Sequence, residues 1–455
     1  MKSAWTKLAI FAVVLSIFVA MVPMTMAQDD SFRPTFELTG PAADGELAGV
    51  DPTGVTFDYW HQHTGAREER LNELVAEFNA NNPWGITVNA SNQGGYGDIY
   101  QKVINGLTTG ELPALVVAYQ NQALAYLQGG GIEDLDVFVN DATWGLNEAE
   151  QADFIPSFFE QDYAPDGTRI GFPPNRSAEV LYYSKTGLAE LGYDAPPATW
   201  AEFQEMACAW TNSAEGRMGY SIRTDASNVA ALTYGLGGDI FDAETNTYMY
   251  NNPATVEALS FMQALYQEGC ANLIAESFAD QNDFAAGTNL FYMGSTSGIP
   301  FVQSAVAESE APIEWGIALI PYADVPALDI YGASVTVLTG PNITVEQQLA
   351  AWLFTRWFTE PEQQSRWAEA SNYFPVRIST TDELGDIFAE IPQYEDAWNV
   401  LLSSTGFFEP AEAGYDVIRD EAAAAFNKVL TEGADVETTL EELDARAVEI
   451  QADFQ

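Results

Sequence analysis

The sequence predicts an α/β protein folded as two lobes. The chain has 455 residues, which is more than one ordinary domain holds. Hydrophobic residues make up 47% of the chain and aromatic residues 13%, enough for large cores. Strand-like and helix-like segments alternate along residues 55–119, an order typical of a parallel sheet covered by helices on both faces.

The N-terminal residues are typical of a secretory signal peptide. Lys2 and Lys7 form a basic region, and residues 8–22 are an apolar run interrupted only by Ser16. This run is too short for a comfortable transmembrane helix, and cleavage is expected after Ala27. Because no Cys follows the run, lipoprotein anchoring is not supported. We expect a free periplasmic or secreted protein.

The first lobe is predicted to begin after a flexible tether. Residues 28–54 are polar and rich in Gly, Pro, Asp and Ala, as in extended linkers. Apolar residues then recur with a helical period at Leu71, Leu74, Val75 and Phe78. The predicted elements that follow the tether are strands at 55–60, 86–90 and 114–119 and helices at 67–79 and 99–107.

The remaining elements are predicted by the same reasoning, and most of those in the C-terminal third are helices. Runs with a period of 3.6 residues predict helices, and short apolar runs predict strands. No repeat of 20–50 residues is visible, so a solenoid or propeller is not predicted. The predicted helices are 200–210, 253–268, 347–358, 361–370, 415–430 and 436–454, and the strands are 180–183, 288–293, 313–320 and 330–338.

The two cysteines, Cys208 and Cys270, both fall on predicted helices of the second lobe. Export makes a disulfide chemically possible. Two buried thiols are the alternative, because sequence does not give the distance between the Cα atoms.

The charge is strongly negative, with 17 basic and 66 acidic residues. Removing the signal peptide also removes Lys2 and Lys7, so the mature balance is 15 − 66 = −51. Nucleic acid and anionic membranes are therefore excluded as partners, because the chain has no basic patch to replace their counterions. Two interpretations of this charge stay open: a strongly solvated surface suited to a salty or acidic medium, or a compositional bias of the lineage. Neither interpretation identifies the ligand.

A resemblance to a known family is carried by residues 173–203. They predict a buried strand, a short helix, a Pro196-Pro197 turn and a helix that begins at Thr199-Trp200. This order resembles the crossover of extracellular solute-binding proteins of ABC importers, the type-1 sugar-binding group. Within that group the chain most resembles the proteins that bind glycerol-3-phosphate.

The resemblance covers roughly residues 55–450 and implies a type II periplasmic binding protein fold. In that fold two interleaved α/β lobes are joined by hinge strands, and the ligand binds in the crevice between them. The first lobe would hold residues 55–171 and 323–370, and the second 172–322 and 371–455. Lobe closure on a small molecule and delivery to ABC permease subunits are implied.

The resemblance also implies which side chains contact the ligand. Arg419 stands where the family has its phosphate-binding arginine, and Tyr373 stands at the hinge. Gln120 stands where the glycerophosphate binders have a carboxylate, which leaves the polyol end of the ligand open. The ligand-binding residues implied are Trp60, His61, Tyr96, Gln120, Ser177, Trp200, Ser295, Gly332, Tyr373 and Arg419.

The primary expectation is a glycerol-3-phosphate or glycerophosphodiester binder, and the first alternative is a neutral oligosaccharide binder. Arg419 and the serines favour an anion, whereas Gln120 and the net charge favour a neutral ligand. A secreted enzyme such as a glycosidase is the second alternative. His61 and His63 lack a third metal ligand of clear spacing, and residues 294–298 are not a G-x-S-x-G motif. We therefore expect a monomeric, non-catalytic protein without metal or cofactor.

Overall fold

The computed structural model describes residues 31–276 and 278–454. The predicted signal peptide, residues 1–27, lies outside the described residues. Within the described part of the chain, no helix is both long enough and apolar enough to span a membrane.

The strands are short and are distributed over two main sheets and one small hairpin. In chain order they are β1 Thr56–His61, β2 Thr87–Asn92, β3 Leu115–Ala118, β4 Ser177–Ser184, β5 Met218–Ile222, β6 Phe241–Asp242, β7 Thr247–Tyr248, β8 Ala271–Leu273, β9 Asn289–Ser295, β10 Trp315–Ala318, β11 Ala327–Tyr331, β12 Ser334–Val337 and β13 Thr405–Phe408.

Helices cover the faces of both sheets. In chain order the α-helices are α1 Ala66–Asn81, α2 Tyr96–Thr109, α3 Gln120–Gln128, α4 Asp136–Val139, α5 Glu148–Ala152, α6 Pro156–Glu160, α7 Lys185–Leu191, α8 Trp200–Trp210, α9 Ala226–Gly235, α10 Pro253–Gln267, α11 Ala279–Ala285, α12 Ile299–Glu308, α13 Val345–Phe358, α14 Pro361–Ser371, α15 Gly385–Glu390, α16 Pro392–Leu402, α17 Tyr415–Glu432 and α18 Val436–Asp453. Short 3-10 helices occupy Thr35–Glu37, Thr296–Gly298 and Ile378–Glu383.

The first lobe is built on a four-stranded sheet with the order β12-β3-β1-β2. β1 pairs in parallel with β2 and β3, and β12 closes the other edge of β3 antiparallel. All four residues of β3 are buried, as expected for a strand with both faces covered. The C-terminal ends of these parallel strands face the second lobe.

The second lobe is built on a seven-stranded sheet with the order β13-β11-β4-β9-β5-β8, and β10 also pairs with β4. β4 is the central strand and contacts β9, β10 and β11 antiparallel. Its residues are buried except for Tyr183, which is half-buried. Because β4 is paired on both edges, the side chains that it directs toward the first lobe have fixed positions.

Three chain segments cross between the lobes and meet at Arg176. The crossing segments are residues 172–176, 331–335 and 373–377; Phe172 of the first bridges Val335 of the second, and Arg176 of the first bridges Phe374 of the third. The Arg176 guanidinium is fully buried and donates to Asp162 Oδ2 and Ser334 Oγ, each at 2.7 Å. The crossings are thus tied together by one ion pair as well as by backbone hydrogen bonds.

One predicted strand, residues 330–338, is two strands in different sheets. β11 ends at Tyr331 and pairs with β4, whereas β12 begins at Ser334 and pairs with β3. Gly332 lies between them with a φ of 135°, a conformation that side chains other than hydrogen strongly disfavour. The return to the first lobe consequently comes after Tyr331, and the predicted boundary at residue 323 is too early.

The prediction of a flexible tether is wrong for residues 31–54. Leu38 and Leu47 are buried against the first lobe, and Thr35 is fully buried. The Thr35 backbone N–H donates to Glu360 Oε1 at 2.6 Å, and Arg33 Nη2 donates to Gly145 O at 2.8 Å. Spaced apolar residues within a polar segment bury enough surface to hold it against the lobe.

Cys208 and Cys270 form a disulfide, with 4.6 Å between their Cα atoms. The bridge joins α8 to the loop that follows α10, so Cys270 does not lie on a helix as the sequence predicted. Of the two alternatives left open for the cysteines, the structure therefore has the disulfide.

Candidate functional site

A cavity of about 230 Å³ lies between the two lobes. The first lobe contributes the start of α3, and the second lobe contributes β4, the ends of β5 and β11, and the start of α17. The residues that line the cavity are Tyr119, Gln120, Asn121, Glu179, Arg223, Asp225, Ser227, Tyr331, Glu409, Tyr415, Asp416 and Arg419. We call this the cleft cavity.

The first-lobe wall is formed where β3 ends and α3 begins. This is the carboxyl end of a parallel strand, where α/β sheets place their ligand-binding side chains. Gln120 Nε2 donates to Glu409 O at 3.0 Å, and Asn121 Nδ2 donates to Asp416 Oδ1 at 2.8 Å. The two lobes therefore touch through these amide side chains at the edge of the cleft cavity.

Glu179 lies on β4 and is only 4% exposed. Its Oε2 accepts a hydrogen bond from the Tyr331 hydroxyl at 2.6 Å, whereas Oε1 has no partner among the described residues. Burial raises the pKa of Glu179 to about 7, and the negative charge of Asp225 adds to this rise. The cavity thus contains a buried carboxyl group with one free acceptor position.

Arg223 and Asp225 follow β5 and precede α9. Arg223 Nη2 donates to Asp280 Oδ2 at 2.7 Å, and the Asp225 carboxylate caps α9 by accepting from the Asn228 backbone N–H at 2.8 Å. Burial lowers the pKa of Arg223, but Tyr292 and Asp280 outweigh it, and the net shift is upward. Arg223 is therefore a charged side chain whose charge Asp280 already balances.

Arg419 lies on the first turns of α17 and is paired within the cavity. Its Nη1 donates to Glu409 Oε2, and its Nη2 donates to Ser227 Oγ at 3.0 Å. The Tyr415 hydroxyl donates to the same Glu409 oxygen at 2.5 Å. The positive charge of Arg419, which a bound phosphate would need, is therefore already neutralised by the Glu409 carboxylate.

The cavity lining carries more acids than bases. It contains four carboxylates (Glu179, Asp225, Glu409, Asp416) and two guanidinium groups, and each guanidinium has a carboxylate partner. Such a lining offers acceptors to ligand hydroxyl or N–H groups. It opposes an added anion, because like charges at short range in a partly buried site repel strongly.

Of the ten residues predicted to bind the ligand, Gln120 and Arg419 line the cleft cavity. Five others lie one residue away from the lining. The Tyr96 ring packs edge-on against Tyr119 at 4.8 Å between centroids, and the Ser177 hydroxyl donates to Tyr331 O at 3.2 Å. Gly332 directly follows Tyr331 in the chain.

Ser295 and Tyr373 also lie beside the cavity lining without forming part of it. The Ser295 hydroxyl lies beside Tyr331 and hydrogen-bonds with Ser297 Oγ at 2.8 Å, and the Tyr373 ring lies beside Tyr96 and under the Arg67 guanidinium, at 4.8 Å from its centroid. Tyr373 falls in the third crossing segment, where the sequence placed the hinge. Both residues are placed to support the wall instead of forming it.

Three predicted residues lie away from the cavity. Trp200 packs against Phe203 and Phe261, with ring centroids at 5.6 and 5.0 Å, and lines a separate small cavity within the second lobe. Trp60 is packed against the core of the first lobe, and His61 is fully buried there. These aromatic side chains are used for packing, which is the commoner use of an isolated Trp or His.

Several lining residues were missed, and three of them, Glu179, Arg223 and Asp225, left a pattern in the sequence. Ser177 and Glu179 are two residues apart on β4, so they share a face, and one predicts the other. Arg223 and Asp225 stand between a strand and a helix, which is where binding residues concentrate. Glu409 follows a short strand that the sequence did not predict, so nothing in the pattern pointed to it.

Comparisons with known proteins give consistent matches. A family model described as bacterial extracellular solute-binding protein matches residues 73–396. The sn-glycerol-3-phosphate-binding periplasmic protein UgpB of Escherichia coli K12 is 22% identical over 351 residues, covering 74% of this chain and 77% of that protein.

Solved structures share the fold. The cyclic alpha-maltosyl-1,6-maltose binding protein from Arthrobacter globiformis superposes with a TM-score of 0.75 at 21% identity, covering 88% of this chain and 99% of that chain. UgpB from Mycobacterium tuberculosis, in complex with glycerophosphocholine, superposes with a TM-score of 0.71 at 21% identity, covering 87% and 98%.

Proposed function

Since the chain belongs to the family of bacterial extracellular solute-binding proteins, we propose that its cleft cavity captures a small polyhydroxylated ligand of the saccharide class. The family consists of binding proteins and not of enzymes, and the chain is the solute-binding component of an ABC importer. Its fold is the predicted type II periplasmic binding protein fold. A periplasmic or secreted location and a monomeric state are part of this proposal.

The observation that supports a saccharide is the pairing of Arg419 with Glu409. A phosphate would have to displace Glu409 from the guanidinium and would then face Glu179 and Asp416 in the same cavity. Hydroxyl groups avoid both costs, because they donate to carboxylates and accept from amides without adding charge. Gln120, Asn121 and the tyrosine hydroxyls extend the same chemistry around the wall.

A glycerophosphodiester or glycerol-3-phosphate is the second candidate. It is supported by the curated relatives, whose ligand is sn-glycerol-3-phosphate, and by Arg419, which lines the cavity as expected of a phosphate-binding residue. In this candidate Glu409 turns away from Arg419 when the ligand enters. A bidentate guanidinium–phosphate contact would then replace the ion pair.

The capture step is a closure of the two lobes about the crossing segments. Ligand contacts with both walls stabilise the closed form, because such contacts are complete only when the lobes meet. Arg176 stays buried with Asp162 on the first-lobe side of the hinge, which keeps the crossing segments together while the lobes move. The closed, loaded protein is the form that permease subunits receive.

Thermal unfolding of the mature protein with single ligands tests the proposal. Maltose, trehalose, glycerol-3-phosphate and glycerophosphocholine are added one at a time, and a ligand at 100 times its dissociation constant adds about 2.7 kcal/mol. A shift with a saccharide and none with the phosphates supports the main proposal. A shift with a phosphate that disappears in Arg419→Ala supports the second candidate and overturns the first.

A further inference from the structure

Glu179 is the buried carboxylate of the cleft cavity that forms no salt bridge among the described residues, although Arg223 lies close enough to attract it electrostatically. Arg419 is bound to Glu409, and Arg223 is bound to Asp280, but Glu179 takes part in no ion pair among the described residues. It is 4% exposed and lines the cavity, so bulk water does not solvate it well. A buried carboxylate in this position calls for a partner that arrives with the ligand.

We propose that the natural ligand carries a protonated amine, as an amino sugar does, and that the Glu179 carboxylate binds this amine. The inference rests on the proposed function, because it specifies the class of saccharide that enters the same cavity. Glu179 Oε2 accepts a hydrogen bond from the Tyr331 hydroxyl at 2.6 Å, which fixes the carboxyl group at the cavity wall and leaves Oε1 without a hydrogen-bond partner among the described residues.

An amine fits this position better than a hydroxyl. A hydroxyl would donate a hydrogen bond to Glu179 but would carry no charge to favour the ionised carboxylate, which burial disfavours. A protonated amine satisfies both requirements, since charge-assisted hydrogen bonds are shorter and about twice as strong as neutral ones. Burial is the main cause of the raised pKa of Glu179, and a cation bound beside it would lower that pKa.

The surroundings of Glu179 reinforce the preference for positive charge. Asp329 lies two residues before Tyr331 on β11, so both side chains leave the same face of the strand. Asp329 is 2% exposed, neither of its oxygens has a partner among the described residues, and burial raises its pKa well above the usual range. A positive ligand group beside Glu179 would lower the free-energy cost of burying these two carboxyl groups.

The second-lobe and first-lobe walls also present aromatic rings to a cation. Tyr119, Tyr331 and Tyr415 all line the cavity. Ring faces attract cations that lie within about 6 Å of the centroid, by roughly 0.5–1 kcal/mol at exposed sites and more when desolvated. A ligand amine that reaches the face of one of these rings would gain this attraction, although the Tyr415 ring already lies under Arg419.

Three disaccharides that differ at the amine position test the inference by isothermal titration calorimetry at pH 7. They are the β-1,4-linked glucosamine dimer, its N,N′-diacetylated form, and cellobiose. We expect the free amine to bind at least tenfold more tightly than the acetylated form, and Glu179→Gln to remove this difference. Glu179→Asp, which keeps the charge, should retain part of it. Glu308→Gln, an exposed carboxylate at the end of α12, is the matched control and should retain all of it.

The outcomes separate this inference from the proposed function. Equal affinities for the amine and its acetylated form, or an unchanged preference in Glu179→Gln, overturn the inference. If a neutral saccharide binds and the amine does not, the inference fails while the proposed function stands. If none of the three disaccharides and none of the saccharides in the thermal assay binds, both fail. Far-ultraviolet circular dichroism and unfolding midpoints of each variant exclude misfolding as the cause.

Discussion

Glu409 and Arg419 form an ion pair within the cleft cavity, and both groups also bind neighbours from α9 or α17. Ser227 links them, since its hydroxyl donates to Glu409 Oε1 at 2.7 Å and also accepts from Arg419 Nη2 at 3.0 Å. Three side chains thus close a ring of hydrogen bonds. The charge of Arg419 is directed inward to the protein and not outward to an anion.

Replacing Glu409 by Gln should therefore create affinity for anions. In Glu409→Gln the Arg419 guanidinium loses its carboxylate, and a phosphate no longer competes with it. We expect glycerol-3-phosphate to bind about tenfold more tightly than to the unmodified protein, measured by calorimetry, since hydrogen bonds to charged groups contribute roughly 1.5–3 kcal/mol. The double variant Glu409→Gln/Arg419→Ala should lose the gain. An unchanged affinity in the single variant would show that Glu409 does not shield the arginine.

Removing the buried carboxylate at the crossing segments should destabilise the fold strongly. Asp162 is 1% exposed, and Asp162→Ala leaves Arg176 buried without its counter-ion. Breaking one partner of a buried pair costs about 3–5 kcal/mol, as measured by urea unfolding. The control is Glu190→Gln, which removes an exposed partner of Arg217 and should cost less than about 1 kcal/mol. Similar losses in the two variants would contradict a special contribution of the crossing.

Acidification should destabilise the first lobe through its two histidines. Burial lowers the pKa of His61 from 6.5 to about 4, and burial lowers that of His63 from 6.5 to about 3. The unfolded chain then binds more protons than the folded chain, so the free energy of unfolding falls as pH drops below about 6.5 and continues to fall to about 3, the folded-state pKa of His63. His61→Phe keeps a ring beside Tyr59 and should show a shallower pH slope in urea titrations. An identical slope in both proteins would rule out this linkage.

Reducing the disulfide should lower the unfolding midpoint. Cys208 and Cys270 are separated by 62 residues, and closing a loop of this length in the unfolded chain stabilises a protein by about 2–4 kcal/mol. Thermal unfolding with and without dithiothreitol measures the loss. The double variant Cys208→Ser/Cys270→Ser should unfold at the same low midpoint in both conditions, and a further drop on adding the reductant would point to another cause.

Much of the fold could be predicted because its elements have strong local signals. The helix predicted at 200–210 is observed as α8, Trp200–Trp210. A capping box fixes its start: the Thr199 hydroxyl accepts from the Glu202 N–H, and the Glu202 carboxylate accepts from the Thr199 N–H. Where a run of apolar residues spans two sheets, local pattern fails. Residues 330–338 were predicted as one strand because the apolar run continues on both sides of Gly332. Gly332 turns the chain from one lobe to the other, and the run of apolar residues does not show this turn.

The candidate site was predicted in part. Arg419 and Gln120 were found by their order relative to a known family, which fixes positions but not partners. The pairing of Arg419 with Glu409 depends on bringing α17 beside the end of β13, and no local pattern encodes that distance. Trp200 was also predicted to contact the ligand, and it packs against Phe203 and Phe261, because an aromatic residue at a helix start packs into a core as readily as it faces a ligand.

The position of β12 beside β3 has a consequence for how the chain acquires its shape. β3 ends at Ala118, but the strand that covers its outer edge begins at Ser334, so the pairing closes a loop on the order of 200 residues, which slows folding. Until that strand is available, β3 presents an open row of backbone donors and acceptors. A chain interrupted before Ser334 should therefore aggregate instead of yielding an independent first lobe, and the smallest unit of this protein that folds cleanly extends through at least the first two of its three crossing segments.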